Sequence, residues 1–357
     1  MTRNRKKRRP RKPLKRRLLF AAIWLLFLLL TMEAGFRIFF GFRYGTFWVT
    51  YPKMIMKIYP ETTETFAYTD HKATEFNVLL LVASVFHPDF GNVTQRLHEK
   101  LLPVTGDALH LWNFAQGAHT TRDSLIKYRA VSNIPADVAV IYHGINDLRA
   151  NNIPPEYFKP DYGHFGWYDY VNGIDRYRST IGITAIPYGF HYLYTGFKQM
   201  MFRSRYIPHH TPLPKWQIYG ADIKTAGPFE SNLREILDMA RQHRTDAILM
   251  TYAYYVPDNY SFGAFKAKYL DYQAHDLPIE LWGQPKFIIE GLDKHNAIIQ
   301  RLATEYSDVH FIDMEKKIPK DGRYFDDICH LSEEGCDRFT DILSSELITI
   351  YRERHPH

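Results

Sequence analysis

The sequence predicts an α/β fold in which a parallel sheet of five strands is covered by helices on both faces. Short apolar segments of strand length alternate along the chain with segments of helical periodicity, an order typical of parallel sheets with crossover helices. Residues 138–142 are apolar throughout, which indicates a strand buried on both faces. A basic segment followed by an apolar run also predicts a membrane helix before this domain.

The predicted strands are apolar, and most are followed by small or polar residues. The first ends before Ala83 and Ser84, the second before Gly117, and the third runs directly into Gly144 and Asn146. The five strands are 76–82, 108–114, 138–142, 246–252 and 309–312. Because parallel strands end at the same edge of a sheet, the residues that follow them are expected to lie close together.

Helices are predicted from apolar periodicity and from capping residues. Thr120 is a favourable N-cap, and Asp123 a favourable first-turn residue, for a helix that ends before Pro135. Ser332 is expected to cap a long final helix. Three further helices are predicted at 181–202, 229–240 and 295–304, and the segment 254–290 is expected to be irregular.

The N-terminus differs in charge from the rest of the chain. The first 17 residues contain 11 Lys or Arg and no acidic residue, whereas the 357-residue chain as a whole has a net charge of +6. The remaining residues therefore hold 34 basic and 39 acidic side chains. This slightly negative balance gives no support to a nucleic-acid-binding surface, so no nucleic-acid partner is expected.

An apolar run, Leu18–Leu30, follows the basic segment directly. Its 13 residues are fewer than the ~20 that span a bilayer, but the apolar character continues to Phe40, interrupted by Glu33 and Arg37. These two residues are four apart, so on a helix they could pair with each other or mark the outer interface. A cleaved signal peptide is the alternative, and the lack of a small-x-small site after Leu30 disfavours it.

We therefore expect a single-pass membrane protein with its N-terminus in the cytoplasm and its main domain outside. The expected regions are a basic cytoplasmic tail (1–17), a transmembrane signal anchor (18–40), a juxtamembrane stalk (41–75) and a main domain (76–357) with an aromatic-rich insertion (150–228). Inserted loops at strand ends often carry specificity. The insertion is expected to be either a cap that packs over the sheet or a lid that contacts substrate.

Complementary chemical groups follow the predicted strands and precede the last helix. A serine hydroxyl becomes a good nucleophile only when a base takes its proton and a third group holds that base. Ser84 can be the nucleophile, His330 the base and Asp327 the orienting acid. The Ser84 amide, the Gly117 amide and the Asn146 side chain can then form an oxyanion hole.

Other polar residues near these positions are expected to be structural. Asp147 is a typical turn residue, and His143 is expected to be a hydrogen-bonded bystander. Cys329 and Cys336 could form one short-loop disulfide or remain two buried thiols. Together with His330 they match no usual zinc spacing, so neither a metal nor another cofactor is expected.

These motifs resemble those of the SGNH family, also called GDSL-type esterases and lipases. The family's Gly-x-Asn-Asp block is matched by Gly144–Asp147, and its second block, a glycine after a strand, by Gly117. Its Asp-x-x-His block is matched by Asp327–His330, which favours Asp327 over the adjacent Asp326 as the orienting acid. The first block departs from the family, since Gly-Asp-Ser is replaced by Val-Ala-Ser at 82–84. The resemblance covers roughly residues 76–351.

The resemblance implies a three-layer α/β/α fold with a parallel, flavodoxin-like sheet. It also implies a carboxylic ester hydrolase or an O-acyltransferase, with Ser84, Asp327 and His330 as catalytic residues and an acyl ester as substrate. By analogy the acyl group, acetyl for example, would be carried by a cell-envelope polysaccharide, and lipid or small esters are the alternative substrates. The altered first block keeps a further alternative open, a non-catalytic protein of this fold that binds or assembles glycans.

Overall fold

The structure is a computed structural model that describes residues 14–46, 48–68, 75–207 and 211–355. Most of the predicted cytoplasmic tail therefore lies outside the described residues, as does the end of the predicted stalk. The described residues contain one five-stranded sheet with helices packed on both of its faces.

All five strands of the sheet are parallel, and their order is β2-β1-β3-β4-β5. The strands are β1 (Phe76–Val82), β2 (Leu109–Asn113), β3 (Val138–Tyr142), β4 (Asp246–Met250) and β5 (Val309–Ile312). Each begins and ends within two residues of its predicted bounds. This strand order is the flavodoxin-like one, so the prediction of fold class is confirmed.

Helices lie before the sheet, between its strands and after it. The α-helices of eight or more residues are α1 (Leu14–Tyr44), α2 (Tyr51–Ile58), α3 (Val93–Thr105), α4 (Thr121–Val131), α5 (Gly166–Arg176), α6 (Ile186–Met201), α7 (Ala226–His243), α8 (Pro285–Glu305) and α9 (Glu333–Arg354). Shorter α-helices occur at Thr63–Ala67, Ile145–Leu148, Phe262–Lys266 and Met314–Lys317. Thr120 caps α4 in a reciprocal capping box with Asp123, and Ser332 caps α9, as predicted.

The side chains of β1 point alternately toward the two layers of helices. Val78 and Leu80 pack with α3 and α9 on one face of the sheet. Leu79 and Leu81 pack with α4 and α7 on the other, where they also meet the C-terminal half of α8. Both faces of the sheet are therefore covered, which explains why its strands are apolar at consecutive positions.

Four helices of eight or more residues differ from the sequence prediction, since α2, α3 and α5 have no counterpart in it and α8 begins earlier than predicted. The helix α8 begins at Pro285, within the segment expected to be irregular, because Ile288 and Leu292 in its first turns are buried in the core. The helix α3 has no counterpart in the prediction. It buries only a narrow stripe of side chains and contains Pro103, a residue that normally ends a helix.

The N-terminal helix α1 is 31 residues long. Its most apolar segment has a mean hydropathy of 2.1, and none of the residues in that segment is buried. By length and composition α1 could cross a membrane, and a signal sequence can have the same length and apolar composition. Glu33 and Arg37 pair within it, with 2.6 Å between Oε1 and Nε. The direction of insertion remains a prediction.

The chain after α1 packs closely on the main domain. Met54 and Ile55 of α2 and the following Tyr59 are completely buried against α4 and α5. Tyr51 of α2 donates its hydroxyl hydrogen to the Asp175 carboxylate (3.2 Å). Most of the segment predicted as a stalk is therefore in contact with the domain that follows.

Gly144, which follows β3, lies against the ring of Tyr252, which follows β4. A Cβ atom on Gly144 would lie 2.5 Å from the Tyr252 ring. We expect Gly144→Ala to lower the free energy of unfolding by about 1–3 kcal/mol through overpacking. Chemical unfolding of the full chain in detergent measures the loss.

Gly227→Ala is the matched control for this substitution. Gly227 lies in α7, and the position that a Cβ atom would take there has no other atom within 4 Å. Alanine should be neutral there or stabilise the helix by up to about 1 kcal/mol. Equal losses from both substitutions would show that the contact with Tyr252 is unimportant.

Candidate active site

Three side chains from distant parts of the chain form a continuous hydrogen-bonded chain. The Ser84 hydroxyl follows β1, and its Oγ lies 2.9 Å from Nε2 of His330. Nδ1 of the same imidazole lies 2.7 Å from Oδ2 of Asp327. Ser84 is only 4% exposed, His330 is 1% exposed and Asp327 is completely buried. The structure thus brings the predicted nucleophile, base and orienting acid into contact.

The hydrogen bonds of Asp327 determine which nitrogen of the His330 imidazole carries the hydrogen. Oδ1 of Asp327 accepts the backbone N–H groups of Cys329 and His330, each at 2.9 Å. Its Oδ2 also accepts the Leu277 N–H (3.2 Å). A carboxylate with these donors is an acceptor for the imidazole, so Nδ1 of His330 carries the hydrogen and Nε2 is free to accept the Ser84 proton.

Asp326 was the alternative orienting acid, and it takes a different position. Its backbone pairs with the carbonyl of His330 and with the N–H of His275. No bond joins the Asp326 carboxylate to the His330 imidazole among the described residues. Burial, with help from the nearby Asp276 and Asp327 carboxylates, raises the pKa of Asp326 to about 6.

The imidazole of His330 is held by stacking as well as by hydrogen bonds. The Phe90 ring lies parallel to it, with 4.1 Å between the ring centroids and 16° between the planes. Burial disfavours the imidazolium, but the neighbouring Cys329 sulfur and Asp327 carboxylate together raise the pKa of His330 above its ordinary value. Because burial also raises the pKa of the Cys329 thiol, we assign the charge that stabilises the imidazolium to Asp327.

The altered first block is compatible with the position of Ser84. Val82 is the last residue of β1, and Ala83 has an extended backbone (φ −119°), which any residue can adopt. Neither position therefore requires the glycine of the family pattern. Ser84 begins a 3₁₀ turn, and the first N–H groups of a helical turn lack acceptors within it.

The Asn146 side chain is oriented by a buried tryptophan. The Trp282 Nε1–H group, which can only donate, bonds to Oδ1 of Asn146 (3.0 Å). Nδ2 of Asn146 donates to the carbonyl oxygen of His119 (3.0 Å). These partners settle which end of the amide carries the hydrogens. Trp282 belongs to no motif and lies in the segment expected to be irregular, 136 positions from Asn146, so the sequence did not indicate its contact with Asn146.

The loop that carries Gly117 is tied to Asn146 through His119. Gly117 is exposed, and no described contact joins it directly to Ser84, His330 or Asn146. The turn from Gln116 to His119 places Ala118 in the left-handed region (φ 65°), where a non-glycine residue costs roughly 1–2 kcal/mol. The role of the Gly117 amide therefore remains a prediction.

A buried ion pair supports the loop that carries Gly117. Lys127 of α4 is completely buried and donates to the carbonyl oxygen of Phe114 (2.7 Å) and to Nδ1 of His119 (2.6 Å). Its Nζ also lies 2.6 Å from Oε1 of Glu61, which belongs to the segment before β1. An unpaired buried ammonium would be very costly, so this ion pair is needed to keep Lys127 charged inside the domain.

His143 and Asp147, both near Asn146 in sequence, have structural contacts, as expected. Nε2 of His143 bonds to Oγ of Ser124 (2.7 Å), and burial lowers the pKa of His143 to about 3. Asp147 accepts hydroxyl hydrogens from Thr121 (2.6 Å) and Tyr162 (2.8 Å), while burial raises its pKa to about 7. Asp147 therefore ties the end of β3 to the start of α4 and to the inserted segment.

The two cysteines are both free and buried, so the disulfide alternative is not realised. The Cys329 sulfur lies within 4.8 Å of ligand atoms of Asp327 and His330. A metal ion would bind the thiolate, whereas burial raises the pKa of the Cys329 thiol and favours its neutral form. The donor set therefore fits a hydrogen-bonded triad better than a metal site.

The aromatic insertion packs mainly as a cap with its own core. Tyr162, Phe165, Tyr168 and Trp216 are buried there. Trp216 is only 7% exposed, so its ring offers no open face to a sugar, whereas Trp167 is partly exposed. The Tyr168 hydroxyl bonds to Thr120 (2.8 Å), so the cap is fastened to the start of α4 beside the site.

Comparison with protein families identifies the family of this chain. The profile of the GDSL-like Lipase/Acylhydrolase family matches residues 83–338, more than half of the chain. The chain belongs to this family. The match begins beside Ser84 and extends past His330, so the predicted SGNH resemblance is confirmed. Membership in this family supports hydrolysis of acyl esters.

Several solved structures are similar to this hydrolase, whereas no curated protein matches it. A GDSL-like lipase from Bacteroides thetaiotaomicron is 12% identical (81% of this chain and 96% of that chain covered, TM-score 0.45). A putative acylhydrolase from Bacteroides fragilis is also 12% identical (82% and 95% covered, TM-score 0.44). A mutant of an acetylxylan esterase from Geobacillus stearothermophilus is 13% identical (76% and 94% covered, TM-score 0.41).

The contact between Asp327 and His330 predicts the pH dependence of the hydrolase. His330 must be neutral to accept a proton, so kcat/KM should rise with pH as the imidazolium loses its proton. Because the pKa of His330 is raised, the midpoint should lie above the ordinary value of about 6.5. Asp327→Asn should move the midpoint to lower pH and reduce kcat by about a thousand- to ten-thousand-fold. Ester hydrolysis followed across the pH range measures both effects.

Asp326→Asn is the matched control for this substitution, since it removes a carboxylate one residue away that is not bonded to the imidazole. It should retain most of the activity and nearly the same midpoint. An equal loss from both substitutions would contradict the assignment of Asp327 as the orienting acid.

The Trp282–Asn146 bond predicts a remote effect on turnover. Trp282→Phe keeps an aromatic ring but removes the N–H donor, so the Asn146 amide can rotate away from its present orientation. We expect kcat to fall by about ten- to a hundred-fold with little change in KM. Trp216→Phe, which alters a buried tryptophan in the cap, should leave kcat nearly unchanged. If the two variants behave alike, Trp282 acts through general packing.

Proposed function

We propose that this protein is a membrane-anchored serine esterase with Ser84 as nucleophile, His330 as base and Asp327 as orienting acid. The observation that carries the proposal is the unbroken hydrogen-bonded chain from Ser84 through His330 to Asp327. Such a chain lets a neutral imidazole take the serine proton while a buried carboxylate stabilises the resulting charge. Membership in an acylhydrolase family supports the same reaction class.

The reaction would proceed through an acyl-serine. Ser84 Oγ attacks the ester carbonyl carbon as its proton passes to Nε2 of His330, and the carbonyl oxygen becomes an oxyanion. The Ser84 and Gly117 amides and the Asn146 side chain would donate hydrogen bonds to that oxygen. His330 then gives its proton to the departing alcohol. Finally a water molecule, activated by His330, releases the carboxylic acid and regenerates Ser84.

The burial of the site favours a small acyl group. Ser84 and His330 together expose only a few per cent of their surface, and the Phe90 ring covers one face of the imidazole. A compact group such as acetyl can reach Ser84 Oγ with less rearrangement than a long chain. We propose hydrolysis rather than transfer, and acetyl esters of extracytoplasmic glycans as the substrate class. In this proposal the basic N-terminus lies in the cytoplasm and the domain lies outside.

The purified full chain in detergent provides the test. It should hydrolyse p-nitrophenyl acetate faster than the octanoate, and a fluorophosphonate probe should label it covalently. Ser84→Ala should abolish labelling, and both Ser84→Ala and His330→Ala should reduce hydrolysis by at least about a thousand-fold. Ser124→Ala, which removes another buried serine that bonds to a histidine, is the control and should remain active.

Three results would contradict all or part of this proposal. Labelling that persists in Ser84→Ala would place the nucleophile elsewhere. Wild-type protein that remains folded but neither hydrolyses acetate esters nor reacts with the probe would favour a non-catalytic role. If an added sugar acquires the acetyl group in place of water, the reaction is transfer and the hydrolysis part of the proposal is wrong.

A further inference from the structure

The exposed surface of the cap helix α6 is largely apolar. Every exposed residue of this helix is apolar or aromatic, and Met200 is as much as 71% exposed. The exposed residues are Phe190, Leu193, Tyr194, Phe197, Met200 and Met201. Their spacing of three or four positions places them along one side of the helix. A surface helix in water normally has the opposite pattern, with charged and polar residues outward.

The polar residues of α6 face the protein instead. Thr195 is completely buried, and Nε2 of Gln199 donates to the carbonyl oxygen of Gly166 (2.8 Å). Nζ of Lys198 lies 3.0 Å from the Asp169 carboxylate. Each of these polar contacts is made with α5 or beside it. The polarity of the helix is therefore inverted, since its polar side is satisfied inside the domain and its apolar side is left outside.

This apolar side continues onto the membrane-helix candidate α1. The Glu33 carboxylate of α1 accepts the Thr184 hydroxyl (2.7 Å) and the Ala185 N–H (2.9 Å) at the start of α6. Phe36 of α1 packs edge-to-face against Phe190, with 5.7 Å between the centroids. The two helices enclose an apolar groove of about 520 Å³ whose lining is Met32, Gly35, Phe36, Phe39, Phe40, Phe190, Tyr192 and Leu193.

We propose that α6 lies in the lipid bilayer interface beside α1, with its exposed apolar side among lipid acyl chains and the groove filled by them. Three observations favour a bilayer as the occupant: the inverted polarity of α6, its continuity with a helix long enough to cross a membrane, and the adjacent positive charge. Arg203 and Arg205 follow α6 directly and are exposed, as expected of residues that meet lipid phosphates. The domain is then held on the membrane by two helices in a fixed orientation. This inference does not depend on the ester chemistry.

Spin labelling of the full chain in nanodiscs of phosphatidylcholine and phosphatidylglycerol tests this placement. A nitroxide is attached to Phe197→Cys on the exposed side of α6, and to Lys286→Cys on α8 as the control, since the Lys286 side chain is 78% exposed. The native cysteines are both buried, which limits background labelling. Collision rates with oxygen, which concentrates in lipid, and with a water-soluble nickel chelate are then measured for each label.

We expect the label at position 197 to collide several-fold more with oxygen than with the nickel chelate, and the label at position 286 to show the reverse. A label at Leu193→Cys, one turn earlier on the same side, should behave like that at 197. An aqueous profile at both 193 and 197 would overturn the proposal, as would failure of the full chain to enter nanodiscs. The labels could also be shielded from both oxygen and the nickel chelate and show dipolar coupling between copies. That result would mean that a second copy covers this side of α6, and it would overturn the proposal.

Discussion

The 2.9 Å contact between Ser84 and His330 depends on the parallel sheet beneath it. Ser84 follows β1, whereas His330 lies 246 residues further along the chain, before α9. Because all strands of the sheet run in the same direction, the segments after them meet at one edge. The close approach of Gly144 and Tyr252, just after β3 and β4, belongs to the same edge. The contact between Ser84 and His330 therefore relies on the parallel direction of the strands.

The groups around the site are held in place by segments remote in sequence. Trp282 orients Asn146, Phe90 stacks on His330, and Leu277 donates to Asp327. Glu61 also pairs with the buried Lys127, which bonds to His119 in the loop that carries Gly117. Each partner satisfies a donor, an acceptor or a charge that would be costly to bury alone. The segment before β1 is thus part of the support of the site as well as a connection to α1.

The unusually high aromatic content of the chain has two separate structural explanations. Aromatic residues of the cap, such as Tyr162 and Trp216, form a small core of their own that packs beside the sheet. Others, such as Phe190 and Phe197, point outward from α6 next to α1. Composition alone favours neither a substrate lid nor a membrane surface over a core. The exposed fraction of each aromatic side chain, together with the inward direction of the polar residues of α6, distinguishes these possibilities.

The sequence by itself determined the elements whose signals are local. Consecutive apolar residues predicted all five strands, capping residues predicted the starts of α4 and α9, and short motifs indicated Ser84, Asn146, Asp327 and His330. Only the tertiary structure decided the thiol state of the cysteines and the contacts of Trp282 and Phe90 beside the site. It also decided which side of α6 faces outward. Those features depend on contacts between residues far apart in the chain, and neither periodicity nor spacing records such contacts.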